Sequence, residues 1–272
     1  MSAQIPGKRR TTRDIALMRQ QGEAIAMLTA YDAVTAALVE MAGVDMILVG
    51  DSLGNVVLGY DTTLPVTLDD MIRHAAAVKR GSGRALIVCD MPFGSVTDPD
   101  ATLRNAMRIL KETGVEAVKL EGGLAMAPTV ERLTAHGIAV MAHIGLTPQA
   151  VHQMGGYYMH GKDDASAARL REEAKALEAA GAFAIVLECV EPALAAEITR
   201  SLSIPTIGIG SGKDCAGQVL VVNDLIGLNT SKPPAFARPR ADVAAIIRQA
   251  VGDYVAETKA ARQPITLPRR AE

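Results

Sequence analysis

The sequence predicts an α/β protein of the (β/α)8 barrel class (a TIM barrel), with an N-terminal arm or helix and an extra C-terminal helix. Eight short runs rich in apolar and β-branched residues recur along the chain, and helical patterns separate them. Runs that are apolar almost throughout are typical of parallel strands covered on both faces. The alternation of strand and helix, repeated over about 200 residues, therefore favours a closed parallel barrel.

The predicted strands are residues 24–30, 45–50, 85–90, 116–121, 138–143, 183–188, 204–210 and 218–222. Helical patterns cover 32–43, 98–114 and 166–181, and Gly43, Gly114 and Gly181 are predicted to end them, because glycine is favoured after a helix C-terminus. A doubly wound open sheet is the main alternative. It is disfavoured because no G-x-G-x-x-G motif follows the first strand.

The chain is predicted to form one domain over residues 1–272, with the barrel at about 24–240 and a final helix at about 241–263. Apolar residues recur in that helix at helical spacing, at Val243, Ile246, Ile247, Ala250 and Val251. A helix beyond the eighth unit must bury this face, and a neighbouring subunit would cover it. The longest irregular stretches, 51–66 and 144–163, are expected to be functional loops.

Composition excludes several classes of function. The 272 residues are 49% apolar and 21% charged with a net charge of −2, which argues against a nucleic-acid binder. No apolar stretch approaches the roughly 18 residues that span a bilayer, so no membrane role is expected. The N-terminus lacks the apolar core of a secretory signal, and Cys89, Cys189 and Cys215 are too few for a disulfide framework. A cytoplasmic protein is predicted.

Acidic residues stand where the predicted strands end. The second, third, fourth and sixth strands lead to Asp51, Asp90, Glu121 and Glu188, and the fifth ends in a histidine, His143. Lys119 precedes Glu121 by two residues, so both side chains point to the same side of their strand. The C-terminal ends of barrel strands meet at one mouth, where active sites lie. Any one of these acids would serve equally well as a helix cap, but the whole set predicts a site with a hard cation such as Mg²⁺.

Other motifs have simpler interpretations. The glycines of 208–212 suit an anion cradle but more often permit a tight turn. Thr67 with Asp70 predicts a helix capping box, and His136, His152 and His160 are interpreted as surface or loop residues.

Nine motifs in order resemble the ketopantoate hydroxymethyltransferase (3-methyl-2-oxobutanoate hydroxymethyltransferase) family over roughly residues 12–255. They are TAYD (29–32), VGDSLG (49–54), TTLPVT (62–67), DMPF (90–93), VKLEGG (118–123), AHIGLTPQ (142–149), GGY (155–157), LECV (187–190) and IPTIGIGSG (204–212). The resemblance implies a (β/α)8 barrel that uses Mg²⁺, one per subunit, with 5,10-methylenetetrahydrofolate as co-substrate. It also implies a large homo-oligomer, typically a decamer, acting in pantothenate and coenzyme A biosynthesis.

Carried onto matching positions, the resemblance implies that Asp51 and Asp90 ligate Mg²⁺ and that Glu121 supports it through water. Asp51, Ser52, Asp90 and Lys119 would bind the 2-oxo acid, His143 would line the site, and Glu188 would be the catalytic base. The chain departs from the family pattern outside this cluster. Tyr158 and His160 replace a basic residue and a glutamine, Ala216 and Asn223 replace an aspartate and a histidine, and PAFAR (234–238) replaces a more basic segment.

The predicted reaction is transfer of a hydroxymethyl unit from the folate to 3-methyl-2-oxobutanoate, giving 2-dehydropantoate, by way of an enolate stabilised by Mg²⁺. The alternative is a Mg²⁺-dependent oxo-acid lyase of the isocitrate-lyase or phosphoenolpyruvate-mutase type, which would be expected to place a reactive cysteine in a catalytic loop. A non-enzymatic barrel would be expected to have lost Asp51, Asp90, Lys119 or Glu188, and all four are present.

Overall fold

Eight parallel strands close into a barrel in which each strand pairs with the next and the eighth pairs with the first. The structure is a computed structural model that describes residues 8–261. The strands are β1 (Ile25–Thr29), β2 (Met46–Val49), β3 (Leu86–Asp90), β4 (Ala117–Glu121), β5 (Ala139–Gly145), β6 (Ala184–Glu188), β7 (Thr206–Ile209) and β8 (Gly217–Leu220). The predicted fold class and all eight predicted strands are confirmed.

Helices surround the barrel and connect successive strands. They are α1 (Thr12–Gln21), α2 (Ala33–Met41), α3 (Leu53–Val56), α4 (Leu68–Gly81), α5 (Pro99–Thr113), α6 (Ala127–Thr134), α7 (Val151–Met154), α8 (Asp164–Ala179), α9 (Pro192–Ser201), α10 (Val222–Ile226) and α11 (Val243–Ala260). Short 3₁₀ turns, Leu124–Met126 and Pro148–Ala150, precede α6 and α7. The two stretches predicted to be irregular therefore contain the short helices α3 and α7.

Polar caps set the helix ends. Thr67 and Asp70 form the predicted capping box of α4, in which each side chain bonds to the other residue's backbone N–H. Gly114 ends α5 in the left-handed conformation, as predicted. The predictions for Gly43 and Gly181 are wrong by one residue. Ala42 is the C-cap of α2 and Ala180 is the C-cap of α8, and each glycine follows its cap with a positive φ, 97° and 96°.

The barrel interior is filled by side chains from all eight strands. Met27, Met46, Leu86, Met141 and Val219 belong to one buried cluster. Ile15 and Met18 of α1 belong to the same cluster, so the predicted N-terminal helix contributes directly to the core. Residues 1–7 of the predicted N-terminal arm lie outside the described residues. Because the interior is packed, the chemistry must lie at a barrel end.

The chain divides into two compact units, the first ending at Val222 and the second beginning at Asn223. The last barrel strand ends at Leu220, earlier than the predicted barrel limit of about 240. In the second unit, Asp242 caps the predicted C-terminal helix α11 by accepting the Ala245 N–H at 2.9 Å. No residue of α11 is buried, and Ile246, Val251 and Tyr254 are largely exposed. Among the helices of residues 8–261, none is both long and apolar enough to cross a membrane.

Candidate active site

The strand register brings the predicted site residues together at the C-terminal end of the barrel. Asp90 at the end of β3 is level with Lys119 on β4. Glu121, the last residue of β4, is level with His143 on β5. Glu188 ends β6 and is level with Gly145, two residues beyond His143. Strand β5 therefore ends two residues beyond its predicted end at His143.

Asp51 and Asp90 form a buried carboxylate pair. Oδ2 of Asp90 accepts the backbone N–H of Asp51 at 3.0 Å, and both residues are at most 5% exposed. Burial raises the pKa of the Asp51 carboxyl to about 8, and the charges of Asp90 and Glu121 add to this effect. Burial also raises the pKa of Asp90, against the opposing effect of the Lys119 ammonium. Two ionised carboxylates are therefore costly here unless a cation joins them.

Lys119 lies among these acids. Its Nζ is 3.2 Å from Oδ1 of Asp90, 3.9 Å from Oε1 of Glu121 and 3.1 Å from Nδ1 of His143. Burial disfavours the charged form, but the charges of Asp90, Glu121 and Asp51 raise the pKa of Lys119 above its ordinary value. The side chain is thus a fixed positive charge inside the mouth.

His143 connects two of the predicted carboxylates. Nδ1 is 3.4 Å from Oε1 of Glu121, and Nε2 is 3.2 Å from Oε2 of Glu188. Burial and the Lys119 charge oppose protonation of the ring, but the nearby carboxylates of Glu121 and Glu188 prevail and raise the pKa of His143 to about 9. Burial opposes ionisation of Glu121, yet the contact with His143 lowers the pKa of this carboxyl.

Glu188 is followed by a strained turn. Cys189 has a φ of 48°, which is unusual for a residue with a side chain. Its N–H donates to the Ile209 carbonyl at 2.9 Å, and its carbonyl accepts the His160 N–H at 2.7 Å. These two hydrogen bonds stabilise the turn and so fix the direction of the backbone directly after Glu188.

Ser52 shares a hydrogen bond of 2.9 Å with the Tyr31 hydroxyl. Tyr31 is only 3% exposed and belongs to the TAYD motif after β1, although its side chain was not predicted to reach the site. Tyr157 of the GGY motif is 62% exposed but is influenced by the charges of the cluster. Burial and the charges of Glu188, Asp51 and Glu121 raise the pKa of its phenol.

Gln149 contacts the cluster and was not predicted as a site residue. Its Nε2 donates to Oδ2 of Asp51 at 2.8 Å and to the Met91 carbonyl at 3.0 Å. Its backbone N–H donates to Oε2 of Glu121 at 3.1 Å. The position of Gln149 in the AHIGLTPQ motif was the available signal, but where its side chain lies depends on the path of the loop after β5.

A cavity of about 750 Å³ adjoins the cluster. Glu121 and Gln149 lie in its wall, and the other walls include Phe93, Val96, Met126, Ile144 and Met154. Charged and polar side chains, among them His152, Arg169 and Glu173, complete the wall. A mainly apolar wall with a few polar groups is typical of ligand sites.

The positions that depart from the family pattern lie outside the charged cluster. Tyr158 stacks on His160, with ring centroids 4.5 Å apart. The Ala216 N–H donates to Oγ1 of Thr206 at 3.3 Å. Asn223 donates through Nδ2 to the Leu228 carbonyl at 3.3 Å within the second unit. Each of the three interactions is a local structural contact.

The carboxylates suit a magnesium ion. Oδ1 of Asp90 is buried and accepts no hydrogen bond of regular geometry, although the Lys119 ammonium lies 3.2 Å away, so a metal ion would share this oxygen with Lys119. Among the described residues, no three His, Cys, Asp or Glu side chains are grouped to hold a metal by themselves. Mg²⁺ usually takes one or two carboxylates and completes its shell with water and substrate. Asp51 and Asp90 fit that pattern, and support from Glu121 through water stays a prediction.

Fold and site together define a class, the (β/α)8-barrel enzymes whose strand ends gather a lysine, a histidine and several carboxylates. Within this class the chain matches the family model described as ketopantoate hydroxymethyltransferase over residues 9–266. It is 52% identical to the 3-methyl-2-oxobutanoate hydroxymethyltransferase of Syntrophus aciditrophicus, covering 95% of this chain and 96% of that one. It is 53% identical to the enzyme of the same name from Syntrophotalea carbinolica, over 93% and 95% of the two chains. The chain belongs to the ketopantoate hydroxymethyltransferase family and is a hydroxymethyltransferase.

Solved structures share the fold at much lower identity. A phosphoenolpyruvate phosphomutase from Streptomyces platensis has a TM-score of 0.64 at 16% identity, covering 94% of this chain and 93% of that one. A phosphonopyruvate hydrolase crystallised with oxalate and Mg²⁺ has a TM-score of 0.62 at 12% identity, over 94% and 93%. These similarities establish the barrel architecture alone.

Proposed function

We propose that the protein transfers a hydroxymethyl unit from 5,10-methylenetetrahydrofolate to 3-methyl-2-oxobutanoate, giving 2-dehydropantoate for pantothenate and coenzyme A biosynthesis. The observation that carries the proposal is the arrangement of Asp51, Asp90, Lys119, His143 and Glu188 around one mouth, in a chain that belongs to this enzyme family. Metal binding, stabilisation of negative charge and removal of the C3 proton would each use a different member of this set.

Asp51 and Asp90 would hold Mg²⁺, with Glu121 supporting it through water. When bound, the ion supplies Lewis acidity toward the ketone of the oxo acid, which acidifies the proton on C3. Lys119 places its ammonium 3.2 Å from Asp90, so a positive charge stands beside the region where negative charge develops. Ser52, oriented by the Tyr31 hydroxyl, would donate to the substrate carboxylate.

Glu188 would take the C3 proton onto a carboxylate oxygen. Oε2 is 3.2 Å from Nε2 of His143, and this contact orients the carboxylate. The side chain of Glu188 is 15% exposed, whereas those of Asp90 and Glu121 are at most 5% exposed. Glu188 is therefore the carboxylate of the three that a substrate reaches most readily. The adjacent cavity offers space for the folate. Its methylene carbon would bond to C3 of the substrate carbanion while water supplies the hydroxyl group, so that 2-dehydropantoate forms and tetrahydrofolate leaves.

The lyase alternative is less well supported. Its reactive cysteine would have to be Cys215, but burial raises the pKa of that thiol, and Thr199 and Thr206 hydrogen-bond it without reversing the shift. The phosphonopyruvate hydrolase and the phosphomutase are 12% and 16% identical to this chain, whereas the transferase from Syntrophus is 52% identical to it.

The test is proton NMR in D₂O with 3-methyl-2-oxobutanoate, with and without Mg²⁺ and without folate. We expect the wild-type protein to exchange the C3 proton only when Mg²⁺ is present. Glu188→Gln should bind the oxo acid with similar affinity yet exchange at least about 100-fold more slowly, because the base is lost. Exchange at the wild-type rate in this variant would move the base to another residue. No exchange by metal-loaded wild-type protein would contradict the proposed chemistry.

We also propose that the chain forms a homo-oligomer, as large as a decamer, and acts in the cytoplasm. Two exposed apolar helix faces support assembly: Val34, Leu38 and Met41 on α2, and Ile247, Val251 and Tyr254 on α11. The free cysteines Cys89, Cys189 and Cys215 are compatible with a reducing compartment.

A further inference from the structure

We propose that Gln149 is a positioning residue that holds Asp51 and Glu121 in the arrangement that receives the metal. This inference rests on the proposed function, because it assigns a role toward the Mg²⁺ that Asp51 and Asp90 would bind. Gln149 contacts no atom that reacts. It acts through the carboxylates.

The contacts of Gln149 join three strand ends. Nε2 donates to Oδ2 of Asp51, beyond the end of β2, and to the carbonyl of Met91, beyond the end of β3. The backbone N–H donates to Oε2 of Glu121, at the end of β4. One residue on the loop after β5 therefore ties together the ends of the three strands that carry the predicted metal-site acids.

Only a donor satisfies this position. Both partners of the side-chain nitrogen are oxygens, a carboxylate and a carbonyl, so the amide must present its NH₂ group to them. A carboxylate at residue 149 would face the Asp51 carboxyl oxygen and the Met91 carbonyl oxygen, and neither of these atoms donates a hydrogen bond to it. An alkyl side chain would leave Oδ2 of Asp51 without this donor in a nearly dry site.

The contacts also decide which oxygens remain for a cation. Gln149 occupies Oδ2 of Asp51, and the backbone N–H of Asp51 occupies Oδ2 of Asp90. Each aspartate thus has one oxygen fixed by a donor, which sets the orientation of its carboxylate. Outer-shell donors of this kind keep metal ligands in place, and here they orient both carboxyl groups before an ion binds.

The experiment compares Mg²⁺ binding, by isothermal titration calorimetry, in wild-type protein and in Gln149→Leu. We expect the variant to bind Mg²⁺ about 10- to 100-fold more weakly, the range for loss of an outer-shell partner. At saturating Mg²⁺, the C3-proton exchange rate should recover to within about threefold of wild type, because ion and base are then both in place. Gln20→Leu, at an exposed glutamine of α1 that is absent from the cavity wall, is the matched control and should keep wild-type affinity.

A double-mutant cycle tests the route of the effect. In an Asp51→Ala background, which removes the acceptor of the Gln149 amide, adding Gln149→Leu should weaken Mg²⁺ binding by less than about threefold. Equal losses in both backgrounds would show that Gln149 acts elsewhere and would overturn the proposal. If Gln149→Leu does not fold, Gln149→Met keeps the unbranched side chain and replaces it in the cycle.

The outcomes separate this proposal from the proposed function. Wild-type Mg²⁺ binding and proton exchange, with unchanged affinity in Gln149→Leu, would overturn the role of Gln149 and leave the transferase chemistry standing. Absence of Mg²⁺ binding by the wild-type protein would overturn both. Weaker binding together with an exchange rate that Mg²⁺ cannot restore would make Gln149 part of the reacting site and contradict a positioning role.

Discussion

Single buried carboxylates serve opposite purposes at the two ends of the barrel. Glu40, only 2% exposed, accepts the N–H groups of Gly83, Arg84 and Ala85 and the Ser82 hydroxyl, and so orders the loop that enters β3. Asp51 and Asp90 are equally buried but have fewer donors and repel each other. The first carboxylate is fully satisfied by the chain, whereas the other two need a ligand.

Replacing Glu40 by glutamine is expected to destabilise the protein by about 2–4 kcal/mol, because the new NH₂ group faces donors and the charge-assisted hydrogen bonds are lost. Burial opposes ionisation of Glu40, but these hydrogen bonds lower its pKa. The lowered pKa contributes stability that is fully present above the ordinary value of 4.5 and is lost progressively as the pH falls from 4.5 through the lowered pKa of the folded protein.

Urea unfolding at pH 7 and at pH 4 measures both effects for Glu40→Gln. The destabilisation should be smaller at pH 4. Glu23→Gln, on an exposed residue, is the control and should change the free energy of unfolding by less than about 0.5 kcal/mol. A Glu40→Gln protein as stable as wild type would contradict this account of the loop.

Asp51 makes Mg²⁺ binding depend on pH. Burial raises its pKa to about 8, so in the metal-free protein the carboxyl keeps its proton at neutral pH. A metal requires the carboxylate, and binding must therefore release that proton. Affinity is expected to rise by up to about tenfold per pH unit between pH 6 and 8 and to level off above that range.

Calorimetry at pH 6, 7, 8 and 9, in buffers of different ionisation enthalpy, gives both the affinity and the number of protons released. Asp51→Asn should show a shallower dependence on pH, since one of the two titrating ligands is gone. An affinity that does not change between pH 6 and pH 8 would show that Asp51 is already ionised in the metal-free protein.

At the scale of elements, close packing of neighbouring helices depends on single glycines. A Cβ on Gly81, at the end of α4, would lie 2.1 Å from the Ala33 carbonyl oxygen and 2.6 Å from its Cα, both backbone atoms at the start of α2. Gly81→Ala must push the helices apart and is expected to destabilise the protein by about 2–3 kcal/mol.

Gly252→Ala provides the opposite case. This glycine lies within helix α11, and an added Cβ there would meet nothing within 4 Å. Alanine should therefore improve helix stability by about 0.5–1 kcal/mol. Thermal unfolding of the two variants should shift in opposite directions. A stable Gly81→Ala protein would mean that α2 and α4 tolerate separation at this point.

The elements were largely predictable because each leaves a periodic or capping signal. The eight strands follow from uninterrupted apolar runs, and the α4 capping box follows from Thr67 and Asp70. Asp90, Glu121 and Glu188 were placed by the rule that parallel strand ends converge, which needs no knowledge of loops. Gln149 and Tyr31 were missed because their side chains reach the site from residues beyond the strand ends, where no sequence period specifies direction. The C-cap at Ala42 was missed because the preference for glycine near helix ends is statistical and does not fix the terminal residue.

At the scale of the whole molecule, the residues that stabilise the barrel and the residues proposed to act on substrate lie in different parts of the fold. Side chains of α1 join the core, Glu40 orders the entry to β3, and the charged cluster occupies the ends of β2 to β6. This division is general for the fold, since residues at the C-terminal face act on substrate while those at the opposite face support the structure.

Assembly is the property of the whole molecule that α11 should control. Ile247, Val251 and Tyr254 recur at helical spacing and are 47%, 55% and 68% exposed, an apolar stripe that a second chain would cover. Changing Ile247 and Val251 together to glutamate should preserve the helix, because glutamate is a good helix former, but should place charge in that interface.

Sedimentation velocity should show wild-type protein as a large species and the double variant as a smaller one, with Mg²⁺ affinity within about threefold of wild type. The matched control, Ala256→Glu with Ala260→Glu, adds the same charge at the same four-residue spacing on the other side of α11, where both residues are also exposed. The control should sediment like wild type. If the double variant remains large, α11 does not hold the subunits together, and the exposed face of α2 at Val34, Leu38 and Met41 becomes the surface to change. A wild-type chain that sediments as a monomer would contradict the proposed assembly itself.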